Sequence, residues 1–155
     1  FRQFLVDKRP YFEKLKELVA KEDWDDFAVK LFGDIPHIMD DDCIEVCDMI
    51  VEEKKYQCLL KILMDNRMSF SRVALFKKYA HYMSEEDQAI YTEHVIDDLR
   101  KHLSYAKSKS YGYIVDDIKG MYTCCEASKK LILNFVEEVE YNYGNRPALM
   151  RLLRN

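Results

Sequence analysis

The sequence predicts an all-α protein made of two small helical bundles in tandem, and three observations point there. Apolar residues recur at i, i+3, i+4 and i+7 in one segment after another. No convincing run of period-two alternation interrupts them, so strands are not expected. Four glycines and three prolines in 155 residues, with 48% hydrophobic and 34% charged side chains, is the composition of a helix-rich globular chain. A body of this length buries roughly two thirds of its unfolded surface, enough for a packed core.

The elements follow in order. Tyr11, Leu15 and Leu18 form one apolar face after Pro10, which is expected to kink or break an earlier extension through Phe4 and Leu5. Asp23 is placed to cap a second helix running to Phe32, with Gly33 to end it. Ile35-Pro36-His37 reads as a connector, because the residue before proline is pushed out of the helical region. Asp42 and Glu45 resemble a capping box ahead of Cys43, Val46, Cys47, Ile50 and Val51. Tyr56, Leu59, Leu60 and Leu63 repeat the stripe, and so do Phe76, Tyr79, Ala80 and Met83.

Ser84 with Asp87 is a further cap-like start, before one longer helix or two short ones carrying Tyr91, His94, Val95 and Leu99 to about Leu103. Ser104 to Ser110 has no large aliphatic residue and reads as an exposed loop. Val115, Ile118 and Tyr122 make the next face, interrupted by Gly120. Thr123 and Glu126 suggest a capping box before Ile132, Phe135, Val136 and Val139, which Gly144-Asn145 closes. Pro147 belongs in the first turn of a last helix with Leu149, Leu152 and Leu153. A loose correspondence between Lys55–Leu63 and Lys129–Phe135 suggests the division into residues 1–83 and 84–155, two bundles of five or six helices, the alternative being a single continuous bundle of nine or ten.

Charge and cysteine content narrow the function classes. The formal net charge is −4, which argues against direct nucleic-acid binding, since such binders use a basic surface to release phosphate counterions. The longest apolar runs fall far short of the roughly 20 residues of a membrane span, so no membrane partner is expected. Five cysteines, an odd number without regular spacing, suit a reducing compartment, and the expected location is cytoplasmic.

No catalytic constellation stands out, and no catalytic, cofactor-binding or metal-ligating residue is assigned. Cys43 and Cys47, with His37 and Cys58, can be drawn as a zinc site, but both cysteines lie on an apolar stripe where free thiols usually pack. Cys124-Cys125 falls at a helix start, where a thiol of lowered pKa is conceivable. None of His37, His81, His94 and His102 is paired with a nucleophile and an orienting acid, and His94 is expected to face inward. There is no phosphate-cradling glycine loop. Asp40-Asp41-Asp42 lacks the alternating ligands and central glycine of a calcium loop and is expected at a helix N-terminus.

The strongest signal is a reversal of charge. From Glu22 to Glu53 there are 12 acidic residues against one basic, and from Lys54 to Tyr82 there are 7 basic against one acidic. Complementary patches of this kind steer association and fix orientation. They point to a non-catalytic protein–protein interaction module with Asp23, Asp25, Asp26, Asp40, Asp41 and Asp42 on one patch and Lys54, Lys55, Lys61, Arg67 and Arg72 on the other. Trp24, amid those acids, is either a staple onto its own bundle or an exposed anchor for a partner.

The helix succession Pro10–Leu18, Asp23–Phe32, Asp42–Val51, Tyr56–Leu63 and Phe70–Met83, with Lys54-Lys55-Tyr56 before Leu59-Leu60-Lys61-Ile62-Leu63, resembles a caspase recruitment domain, the six-helix death fold. His94-Val95-Ile96-Asp97-Asp98-Leu99, Glu126-Ala127-Ser128-Lys129-Lys130-Leu131 and Asn145-Arg146-Pro147-Ala148-Leu149 are similar to the second of the paired recruitment domains in RIG-I-like and Dicer-related RNA helicases. The resemblance implies the N-terminal recruitment region of such a helicase, acting in small-RNA production or antiviral RNA sensing and binding other death-fold or adaptor domains. The alternative is a Bcl-2-like protein whose groove accepts a partner helix, which needs one long central apolar helix. A third class, RNA binding by Lys107, Lys109, Lys129 and Lys130, would weaken steeply with salt.

Overall fold

The computed structural model describes residues 8–35, 40–65 and 72–155. Nine α-helices and no strand occur among them, so the protein is all-α. They are α1 (Lys8–Leu18), α2 (Trp24–Gly33), α3 (Asp40–Glu52), α4 (Leu59–Asp65), α5 (Arg72–Tyr79), α6 (Glu85–Tyr105), α7 (Tyr111–Tyr122), α8 (Glu126–Tyr143) and α9 (Pro147–Arg154). The chain divides into two compact units, Phe1–Leu75 and Phe76–Asn155, the division falling within α5. The expected stripe Phe76, Tyr79, Ala80 and Met83 is buried in the second unit, where Phe76 stacks on Tyr91 with ring centroids 4.5 Å apart.

In the first unit α3 packs on α1 and α4. Its stripe is buried as the spacing predicts, with Cys43, Val46, Cys47 and Ile50 wholly inside. The inward face of α1 is rotated from the one expected: Phe12 is 2% exposed while Leu18 is 82% exposed. The reason lies in the partners, since Phe12 packs edge-on against Trp24 and tilted against Phe32, at centroid separations of 5.3 and 5.5 Å. Pro10 lies in the first described turn of α1, where a missing N–H is no loss, and the extension through Phe4 and Leu5 that it was expected to kink or break lies outside the described residues. The proposed Asp42–Glu45 capping box does not form. The helix begins two residues earlier, and both carboxylates instead face the buried Lys8 ammonium, at 2.5 and 3.8 Å.

Lys54 closes α3 with φ 57°, the left-handed conformation usually left to glycine. Its N–H donates to Val51 and that of Lys55 to Ile50, a Schellman closure that satisfies two free carbonyls. A non-glycine residue here costs about 1 kcal/mol. The turn delivers Glu53 and Lys55 toward α1 and α2. A 3₁₀ turn, Tyr56–Cys58, then leads into α4.

In the second unit α6, a single 21-residue helix, packs mainly on α8, while α7 packs on α8 and α9. Ser84 caps α6 as expected, its hydroxyl accepting from the Asp87 N–H at 3.1 Å. Gly120 does not interrupt α7. The Thr123–Glu126 capping box is absent: Cys125 takes the N-cap position, and the Thr123 hydroxyl turns back to donate to the Gly120 carbonyl. Gly144 follows α8 with φ −57°, so its value is not a left-handed turn. A Cβ there would stand 2.7 Å from the Glu140 carbonyl oxygen, a close approach only glycine permits. His94 is not turned inward, since its side chain is 41% exposed and its Nε2 lies 4.0 Å from Asp98. It flanks the stripe of Tyr91, Thr92, Val95, Ile96 and Leu99 that faces the core.

A buried polar chain ties α8 to α6. Thr92 Oγ1 donates to the Gln88 carbonyl at 2.8 Å and lies 2.6 Å from Ser128 Oγ, which lies 3.1 Å from Cys125 Sγ. A hydroxyl carries one proton, so Thr92, having given its own, accepts from Ser128, and Ser128 accepts from the thiol of Cys125. Thr92 and Ser128 are fully buried. Thr92→Val therefore strands the Ser128 proton and is expected to lower unfolding free energy by about 1–3 kcal/mol. The double variant with Ser128→Ala should cost less than the sum of the two single changes in denaturant melts.

Candidate functional site

Among the described residues the charge reversal in the sequence is partly taken up by internal ion pairs. Within the first unit its two sides fold onto each other and onto α1. Lys55 Nζ meets Asp25 at 2.5 Å, Lys16 meets Glu53 at 2.5 Å, and Arg9 grips Glu52 through both nitrogens at 2.8 and 3.0 Å. The fork holds Glu52 below the ordinary carboxylate range and raises Arg9 further. Lys61 donates to the Ile35 carbonyl and to Asp65, both at 2.9 Å. Asp25, Lys55 and Lys61 are thus engaged in their own unit. Pairs this exposed contribute little stability each, about 0.2–1 kcal/mol, but they neutralise the charge a partner would read.

Two of the expected partner-binding residues are not on the surface. Trp24 is 8% exposed, and its indole N–H donates to Glu53 at 2.7 Å while Lys16 lies over the ring. Of the two roles open to it, Trp24 takes that of the staple, because its ring fills the space between Phe12 and Phe27. Arg72 is 7% exposed and belongs to the interior. Arg67 and the side chains of Asp40 and Asp41 lie outside the described residues, as do Phe4, Leu5, Pro36 and His37.

Among the described residues an exposed acidic corner stands at the turn into α2. Glu22, Asp23 and Asp26 are exposed, and none has an ion-pair partner among the described residues. Their backbone is fixed from beneath by Trp24, whose side chain is buried between them in sequence. Asp23 does not cap α2 with its side chain, so its carboxylate stays available to solvent. Lys54, exposed in its left-handed turn, is the one expected basic residue of the first unit that is described, exposed and unengaged. The opposing charges that were missed in the sequence are those of Lys8, Arg9 and Lys16, which show only as the polar side of α1 until the fold brings α3 beside it.

The thiols are mostly interior. Cys43 and Cys47 are wholly buried, Cys58 is 7% exposed, and burial pushes the Cys58 thiol up. Among the described residues no cluster of three or more His, Cys, Asp or Glu is arranged to hold a metal ion. Cys124 does not have the lowered pKa considered for a helix-start thiol. Burial, with Cys125 beside it, pushes it up to about 11. No described helix is long and apolar enough to cross a membrane.

No protein-family model, curated protein or solved structure matches the chain. The class the fold defines is an all-α protein in two compact units.

Proposed function

We propose that the chain is a non-catalytic protein–protein interaction module, the recruitment region of a cytoplasmic RNA helicase of the RIG-I-like or Dicer-related kind, binding death-fold or adaptor domains. The observation that supports this reading is the acidic corner: Glu22, Asp23 and Asp26 keep free carboxylates on a rigidly anchored helix start, while the carboxylates around them are consumed by internal pairs. A fixed cluster of unneutralised charge on a small body steers encounter with a cationic partner surface. The paired recruitment-domain resemblance of the sequence supplies the family, and the all-α fold is compatible with it. A groove-type, Bcl-2-like role finds less support, because α6 and α8 are both amphipathic and neither is apolar all round.

Reversing Asp23 and Asp26 to lysine tests the proposal. Asp25 is left alone, since its removal would also free Lys55. Immobilised wild-type and D23K/D26K chains are compared for the death-fold and adaptor proteins they retain. The reversal should abolish retention, and D23N/D26N should weaken it. Both variants should melt close to the wild type, since the lost helix-dipole contribution is about 0.3–1 kcal/mol per carboxylate. Retention that is unchanged by the reversal would overturn the proposal.

A further inference from the structure

The second unit holds a groove of about 540 Å³ where α6 ends and α7 begins, lined among others by His102, Tyr105, Lys107, Lys109, Tyr113 and Ile114. The helical period explains its composition. Tyr111, Ile114, Val115 and Ile118 take the inward face of α7, so Tyr113 must point out, and it is 76% exposed. Tyr105, on the last turn of α6, is 67% exposed, with His102 edge-on to it at 5.8 Å. Ile114, 5% exposed, belongs to the core and closes the groove from below. The connection between the helices is extended at Ala106 and Lys107 before a 3₁₀ turn, Ser108–Ser110. It places Lys107 and Lys109 beside the tyrosines.

We infer that this groove is a docking site for an acidic peptide segment carrying a large apolar side chain. Resting on the reading of the chain as an interaction module, the inference names a second partner surface and its chemistry. Every full charge lining the groove is cationic, and neither Lys107 nor Lys109 has an ion-pair partner among the described residues. The occupant is therefore anionic. Two tyrosines left this exposed, over an aliphatic floor, match the aromatic-rich composition of interface anchors rather than of ordinary solvated surface. A groove of this size takes one large side chain with flanking backbone.

Aromatic rings beside lysines also suit a single-stranded nucleic acid. The charge balance favours the peptide: the residues from Phe76 onward carry 12 Lys and Arg against 12 Asp and Glu, so the unit has no net positive charge to gather a polyphosphate chain. Two lysines would engage about two phosphates and give a single-strand salt slope of only about −1.4, too little to hold an oligonucleotide at physiological salt.

The full chain is titrated into four dye-labelled probes and followed by fluorescence anisotropy. They are a hexapeptide with two aspartates on each side of a Leu-Phe pair, the same peptide with lysines for aspartates, the acidic peptide with Ala-Ala for Leu-Phe, and a twelve-residue oligouridine. The acidic Leu-Phe peptide should bind most tightly. K107E/K109E and Y113A, all at exposed positions, should each weaken it by about tenfold or more without changing the melting temperature. D23K/D26K should bind it as the wild type does, so failure at the groove is read separately from failure of the acidic corner. The inference is overturned if the acidic and basic peptides bind alike, if the groove variants bind unchanged, or if oligouridine binds more tightly than the peptide.

Discussion

Replacing Trp24 with alanine is expected to destabilise the first unit by about 3–5 kcal/mol, one of the two largest losses any single substitution should produce. Three contributions add. The ring is buried against Phe12 and Phe27, and its removal opens a cavity between α1 and α2 that neighbouring backbone cannot fill. The edge-on aromatic contact with Phe12 is lost as well, worth about 0.5–1.5 kcal/mol beyond burial. Glu53, whose side chain is 12% exposed, also loses the indole donor that shares its carboxylate with Lys16. Trp24→Phe separates these contributions, since it keeps most of the packing and removes only the hydrogen bond. It should lie much nearer the wild type in chemical denaturation. Because Trp24 is the only tryptophan, its emission reports the same point without mutation. Emission should be blue-shifted and protected from an aqueous quencher in the native protein. Emission like that of a solvated indole would show that the ring is on the surface after all.

Phe135→Ala in the second unit should cost a similar amount, about 3–5 kcal/mol, for a different mixture of reasons. The ring is 2% exposed on the face of α8 that packs on α6, with Ile132 and Val139 one turn to either side. Arg100 of α6 lies 5.7 Å from it and forks onto Glu138, with contacts of 2.9 and 2.7 Å, while also reaching Asp97. The fork holds Glu138 below the ordinary carboxylate range. Phe135→Leu keeps most of the volume and should recover the greater part of the loss, whereas Phe135→Ala leaves both the cavity and an Arg100 without its ring platform. Thermal melts of the two variants check this. Equal melting temperatures for Ala and Leu would mean that the site collapses without a void.

Much of this architecture is legible in the chain. The stripe Cys43, Val46, Cys47, Ile50 specifies the buried face of α3 because period 3.6 and side-chain polarity are local properties. The Ser84–Asp87 cap and Pro147 in the first turn of α9 are equally local, being written in four residues or fewer. Where reading failed, the cause was a long-range partner. Tyr11, Leu15 and Leu18 and the true face through Phe12 differ by about one helix position, and only the arrival of Trp24 and Phe32 decides between them. Capping boxes at Asp42 and Thr123 were outbid by Lys8 and by the Gly120 carbonyl.

The sequence by itself determined the all-α class, the order of the described helices, and the concentration of acid before Glu53 and of base after it. Tertiary structure alone decided what that charge is for. An ion pair depends on which side chains meet across 30 to 43 residues of chain, a separation that local periodicity does not encode. So Glu52, Glu53 and Asp25 became internal ties to Arg9, Lys16 and Lys55, Trp24 turned inward over Phe12, and Glu22, Asp23 and Asp26 were left as an exposed acidic corner. The exposed tyrosines beside Lys107 and Lys109 came into view in the same way, once packing had settled which face of each helix the core required.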